Sequence, residues 1–151
     1  MIKIIAIGKK HESWIIDGLE RYQKRLKQPF DVNWELIPHS SQTGLVARQN
    51  ESKDILSKLS PTDYVILLDE RGKLIDSPSL SKHIEQQFSA SKNIVMIIGG
   101  AYGVDEQLIN RANLVLSLSP MVFPHQLVRL ILIEQIYRAQ EIFLKHPYHH
   151  I

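Results

Sequence analysis

Short apolar runs alternate along the chain with stretches whose apolar positions return every three or four residues. "IKIIAIG" (2–8) reads as a strand, and "ESWIIDGLERYQKRL" (12–26) follows with Trp14, Ile15, Leu19, Tyr22 and Leu26 at helical spacing. "DVNWELI" (31–37) alternates Val32, Trp34 and Leu36, the pattern of a half-exposed strand. A helix over 45–59 and a strand "YVILLD" (64–69) come next, the strand apolar enough to be buried on both faces. The turn "ERGK" then leads to "DSPSLSKHIEQQF", where Ser77 is placed to cap a helix that accepts Pro78 in its first turn. "NIVMIIGG" (93–100) reads as a fourth strand, "VDEQLINRA" as a short helix capped by Asp105, and "NLVLSLS" (113–119) as a fifth strand. Strands alternating with helices predict an α/β fold: a mostly parallel sheet with helices on both faces. No repeat or linker divides the chain, so residues 1–151 are expected to form one domain.

The last helix breaks the pattern. After Pro124, Leu127, Val128, Leu130, Ile131, Leu132, Ile133, Ile136, Tyr137 and Ala139 leave only narrow polar lanes. A helix buried in its own domain needs one apolar stripe, and a chain of 151 residues has little core to surround a helix completely. The pattern therefore favours a second chain covering this helix.

Composition narrows the class. With 44 % hydrophobic and 23 % charged residues the chain has a globular rather than a disordered profile. It has no cysteine, which excludes disulfides and thiolate metal sites. The apolar run at the N-terminus is too short to span a bilayer and lacks a small-residue cleavage site, so a cytoplasmic protein without membrane attachment is expected. A net charge of +2 is no nucleic-acid signature by itself. The excess of Lys3, Lys9, Lys10, Arg21, Lys24, Arg25 and Lys27 over Glu12, Asp17 and Glu20 fits either phosphate contact or a solvated helix face.

In open α/β sheets ligands sit outside the carboxyl ends of the strands. Those ends are "LDERGK", "GGAYGV" with Gly99, Gly100 and Gly103, and "LSPMVFPH". The glycines permit close backbone approach, but they do not make G-x-G-x-x-G, and a tight strand-to-helix turn explains them equally well. Between Pro120 and Pro124 stand Met121, Val122 and Phe123, apolar where loops are usually polar. Such a loop suits a flat apolar ring, or else plugs the end of the core. His125 and Arg129 share a helical face, and Arg129 has the better claim to a phosphate or carboxylate; Glu134 and Arg138 read as an i,i+4 ion pair. The tail "KHPYHHI" gathers His146, Tyr148, His149 and His150 without a carboxylate or thiolate, which reads as a surface tail rather than a metal site, or as groups able to stack on a base.

"IIGGAYGV", followed by "LSLSPMVFPHQLVRLILIEQIYRA" and closing on "HPYHHI", resembles the RlmH (YbeA-like) family of ribosomal RNA methyltransferases, within the SPOUT superfamily of α/β-knot enzymes. The resemblance runs the full chain and is most specific in "FPHQLVR" and "YRA". It implies a deep C-terminal trefoil knot, a homodimer, and S-adenosyl-L-methionine held by Leu68, Gly99 and the segment Leu118, Ser119, Pro120, Met121, Val122 and Phe123, with Gly100 and Gly103 shaping the pocket. The implied activity is methylation of N3 of a pseudouridine in 23S rRNA of the assembled 70S ribosome, without a metal. On that footing the partner chain's Tyr148 and His149 are expected to complete the site, with His149 as proton acceptor. Arg129, Arg138 and His150 are assigned to the RNA backbone or the interface.

Overall fold

The computed structural model describes residues 1–150. Its elements run β1 (Ile2–Ile7), α1 (Ser13–Gln23), β2 (Val32–Ile37), α2 (Gly44–Ser57), β3 (Tyr64–Leu74), α3 (Ser77–Ser89), β4 (Ile94–Ile98), α4 (Glu106–Arg111), β5 (Leu114–Ser117) and α5 (His125–Phe143). The strands form one sheet in the order β2-β1-β4-β3-β5, and every neighbouring pair is parallel.

Because successive strand residues face opposite sides, β1 divides its apolar residues between two cores. Ile2, Ile4 and Ala6 join the core under α1, α3 and α5, while Ile5 and Ile7 join the core under α2 and α4. β4 does the same with Met96 and Ile98 against Val95 and Ile97, and all five of its residues are buried. Continuous apolar runs in the central strands thus report a sheet covered on both faces.

α5 lies beside α1 and α3 on one face of the sheet. Leu132, Ile133, Ile136 and Ala139 are sealed in that core. The chain's own layers therefore cover most of the helix that the sequence pattern assigns to a partner. What stays open is at its ends and flank: Ile131 and Ile142 are partly buried, and Phe143 and Leu144 are exposed.

Two local expectations are corrected. "ERGK" is not a turn ending β3. The strand continues to Leu74 across a bulge, where Leu68 and Lys73 both register with Leu116 of β5. Gly72 makes this possible, since a Cβ there would stand 2.6 Å from the Val115 carbonyl oxygen. The cap of α3 is Asp76, whose carboxylate accepts from the Ser79 amide at 2.8 Å, whereas Ser77 donates across to Gln135 of α5 at 2.6 Å. Asp105 caps α4 as expected, accepting from the Leu108 amide. Among the described residues no helix is long and apolar enough to cross a membrane.

Candidate functional site

The bulge of β3 and the carboxyl ends of β4 and β5 open into one cleft. Its walls include Leu68, Ile98, Gly99, Gly100, Gly103, Leu116, Leu118, Ser119, Met121, Val122, Phe123 and His125. Of the residues expected to hold a cofactor, all line this cleft except Pro120, which is exposed outside it. Three segments far apart in sequence meet here because parallel strands present their carboxyl ends on one edge of the sheet.

Each wall has a local cause. The Gly103 amide donates to the Gly100 carbonyl at 3.0 Å with Gly103 at φ +78°, closing a tight turn after β4. A Cβ on Gly99 would come within 2.9 Å of Val104, and one on Gly100 within 2.6 Å of a Glu51 carboxylate oxygen. Opposite, the Ser119 hydroxyl accepts from the Met121 amide, and the Ser117 hydroxyl donates to the Ser119 carbonyl. This pinned loop leaves Met121 and Val122 73 % and 77 % exposed, apolar surface that a ligand in the cleft would cover.

The β3 bulge adds Asp69 and Glu70 to the rim, which the sequence reading missed by treating "ERGK" as a simple turn. Arg71 grips Asp69 through two side-chain hydrogen bonds at 2.9 and 2.8 Å, and that contact holds the Asp69 carboxyl below its usual range. Asp69 is therefore an ionised carboxylate paired with Arg71 at neutral pH. His125, at the start of α5, has its pKa lowered by burial and by the nearby Arg129 and His39, against smaller opposing effects of Glu51 and Glu70.

Arg129, expected at the RNA backbone or the interface, lies inside the chain. It is fully buried, and its guanidinium donates to the carbonyls of Ile7, Gly8 and Lys10 at 2.9, 3.2 and 3.0 Å and lies 3.2 Å from His11 Nδ1. Those carbonyls converge where β1 ends without a sheet partner to bond them, so the arginine ties the β1–α1 connection to α5. It has no free face for RNA phosphate.

The family profile described as "Predicted SPOUT methyltransferase" matches residues 1–149. The chain belongs to the SPOUT methyltransferases. It is 39 % identical over 154 residues to a protein of Christiangramia forsetii named ribosomal RNA large subunit methyltransferase H, covering 99 % of this chain and 98 % of that one. Proteins of the same name from Clostridium novyi and Francisella philomiragia are 39 % and 36 % identical, each match covering 98 % of both chains. Among solved structures, a methylase family protein from Neisseria gonorrhoeae aligns with a TM-score of 0.55 at 13 % identity, over 99 % of this chain and 85 % of that one, a likeness of fold. The protein is thus an enzyme, a methyltransferase.

In this SPOUT methyltransferase the C-terminal tail folds back on α5 rather than fraying. Lys145 at φ +59°, with the His146 amide on the Glu141 carbonyl and the Lys145 amide on that of Ile142, reverses the chain as a Schellman motif. Glu134 and Arg138 form the expected ion pair, and the Tyr148 hydroxyl donates to the same Glu134 oxygen at 3.2 Å. The Arg138 guanidinium lies over the Tyr148 ring, 4.7 Å from its centre, and contacts His149 Nδ1 at 3.1 Å. Burial, then the charge of Glu134, pushes the Tyr148 phenol up to about 12. His149 lines a second groove, between α3, α5 and the end of β5, which shares Leu116, Leu118 and Phe123 with the cleft. His150 is exposed beyond it, and His146 pairs with Glu141 at 3.0 Å. Among the described residues no three His, Asp or Glu side chains are grouped to hold a metal.

Proposed function

We propose that this chain forms a cytoplasmic homodimer that uses S-adenosyl-L-methionine to methylate N3 of a pseudouridine in 23S rRNA on the assembled 70S ribosome. The observation that carries the reading is the cleft between the β3 bulge and the ends of β4 and β5, in a chain whose relatives are named for ribosomal RNA methylation.

The residues present fit the methyl donor. Gly103 has open space where a side chain would stand, while Gly99 and Gly100 let Val104 and Glu51 pack close behind the cleft. Leu68, Leu116, Leu118, Val122 and Phe123 supply apolar walls for a flat ring. Glu70, beside the paired Asp69 and Arg71, puts negative charge on the rim, matched to a cationic ligand. When bound, S-adenosylmethionine supplies a methyl group on a positively charged sulfur, which keeps the bonding electron pair when the ring nitrogen takes the carbon. The chain's own contribution is then to hold two partners in line, which lowers the entropic part of the barrier.

In this reading the segment from β5 through α5 is threaded as a trefoil knot, and the pinned 118–123 loop belongs to it. The dimer brings one protomer's Tyr148 and His149 over its partner's cleft, while Arg138 and the exposed His150 serve the RNA backbone or the interface.

The test offers methyl-labelled S-adenosylmethionine with the purified protein to intact 70S ribosomes and, separately, to naked 23S RNA. Label on the ribosome mapping to N3 of a pseudouridine is expected. A protein that binds the donor but labels neither would be a binding protein that has kept the fold.

A further inference from the structure

We propose that His149 serves this reaction as a hydrogen-bond donor through Nε2, and that Arg138 is the positioning residue that holds it in that form. The inference rests on the methyltransfer reading above. It reverses the polarity that the sequence suggests for His149, that of a proton acceptor.

The deciding contact is the 3.1 Å approach of Arg138 Nη1 to His149 Nδ1. A guanidinium has five N–H donors and no acceptor, so in this pair the arginine must donate and Nδ1 must accept. An imidazole that accepts at Nδ1 carries its proton on Nε2, because the hydrogen bond made by one ring nitrogen sets the state of the other. Moving the proton to Nδ1, as general-base action through Nε2 requires, would point an N–H at a guanidinium.

Arg138 is itself well fixed. Its Nε and Nη2 bind Glu134 Oε1 at 2.9 and 2.6 Å, and its flat face covers the Tyr148 ring. Glu134 Oε1 also accepts a hydrogen bond from the Tyr148 hydroxyl, and Tyr148 packs edge-on against Tyr137 at 4.8 Å. The tail therefore reaches the reaction with His149 already oriented, and the Tyr148 phenol, held at about 12, stays protonated. Rigid support of this kind is what a donor aimed at developing charge needs.

The chemistry calls for such a donor. When a uracil-type ring loses its N3 proton, to solvent water here, the negative charge spreads onto the carbonyl oxygens flanking N3. The N3 electron pair then forms the new N–C bond as the C–S bond breaks. A donor at one of those oxygens favours the anion, whereas removing such a donor from an active site lowers turnover by roughly 10²–10³-fold.

Two readouts test this. In protein labelled with 15N in its histidine rings, without donor or RNA, NMR is expected to find His149 Nδ1 unprotonated and Nε2 protonated. Arg138→Lys, which keeps a donor, should retain that signature, and Arg138→Met should give a mixture of tautomers. A proton on Nδ1 in the unsubstituted protein overturns the proposal. In turnover on 70S ribosomes, His149→Gln, which retains an N–H donor but is no base, should stay within about tenfold of the unsubstituted enzyme, against a loss of roughly 10²–10³-fold for His149→Ala. Equal losses in the two variants also overturn it. Failure of the unsubstituted protein to methylate ribosomes would remove the methyltransfer reading while leaving the tautomer result intact.

Discussion

Arg129 carries the heaviest single structural duty in the chain, because three backbone carbonyls from the end of β1 depend on its guanidinium. Replacing it by Met keeps much of the volume but strands those acceptors in a buried setting, at about 1–3 kcal/mol for each unsatisfied group. Arg129→Met is thus expected to lower unfolding free energy by several kcal/mol, about 3 or more, read from urea denaturation. A loss below about 1 kcal/mol would mean that water reaches the carbonyls. The same cation sets the protonation of its neighbours. Burial and Arg129 lower the pKa of both His11 and His125, below the ordinary value of about 6.5. Both are neutral in the fold at pH 7, while the unfolded chain takes up protons near pH 6.5. The unfolded state then binds more protons, so stability should fall as pH drops below about 6.5 and be insensitive to these groups above 7. The lowered Asp69 adds its own loss only nearer its unfolded value of about 3.9, as pH falls through the acid range. Denaturation midpoints at pH 7.5 and 5.5 measure the histidine window, and His125→Asn should flatten the slope.

At the scale of elements, the bulge in β3 does more for the site than any helix. It interrupts the register with β5 between Leu68 and Lys73 and turns Asp69 and Glu70 to the cleft rim. The crossing is possible only where no Cβ intervenes. Gly72→Ala would bring that atom to 2.6 Å from the Val115 carbonyl oxygen and 2.9 Å from the Leu116 amide, both backbone and both held in the sheet. A cost of about 1–3 kcal/mol is expected, with weaker binding of the methyl donor as the rim shifts. Calorimetry on folded Gly72→Ala protein checks the second part, and unchanged binding would detach the bulge from the cleft. This element was hidden in the sequence because "ERGK" carries ordinary turn residues, and a bulge is defined by its partner strand. The helix caps were more legible. Asp105 was readable from its place before α4, while the expected cap Ser77 is turned to Gln135 and the neighbouring Asp76 takes its place.

For the whole molecule, the covering of α5 is the instructive result. Its apolar breadth suggested a partner chain, yet the sheet, α1 and α3 account for Leu132, Ile133, Ile136 and Ala139 without one. The proposed dimer must rest on what remains outside, including Trp14 and Ile16 on α1, which are 57 % and 38 % exposed, and the half-open flank of α5. Sedimentation velocity is expected to give twice the 17.4 kDa chain mass, and Trp14→Glu should shift it toward the monomer. A monomer at all concentrations would leave each tail with only its own chain's cleft to serve. The sequence by itself determined the alternation of strands and helices, the burial of the sheet on both faces, and the three strand ends that meet at the cleft, because those follow from local periodicity and from a general rule of parallel sheets. The tertiary structure alone decided the strand order, the burial of Arg129, the bulge that brings Asp69 and Glu70 to the rim, and the clamp on His149. Each of these depends on which groups distant in sequence meet, and hydrogen-bond polarity and depth of burial are properties of that meeting rather than of any residue type.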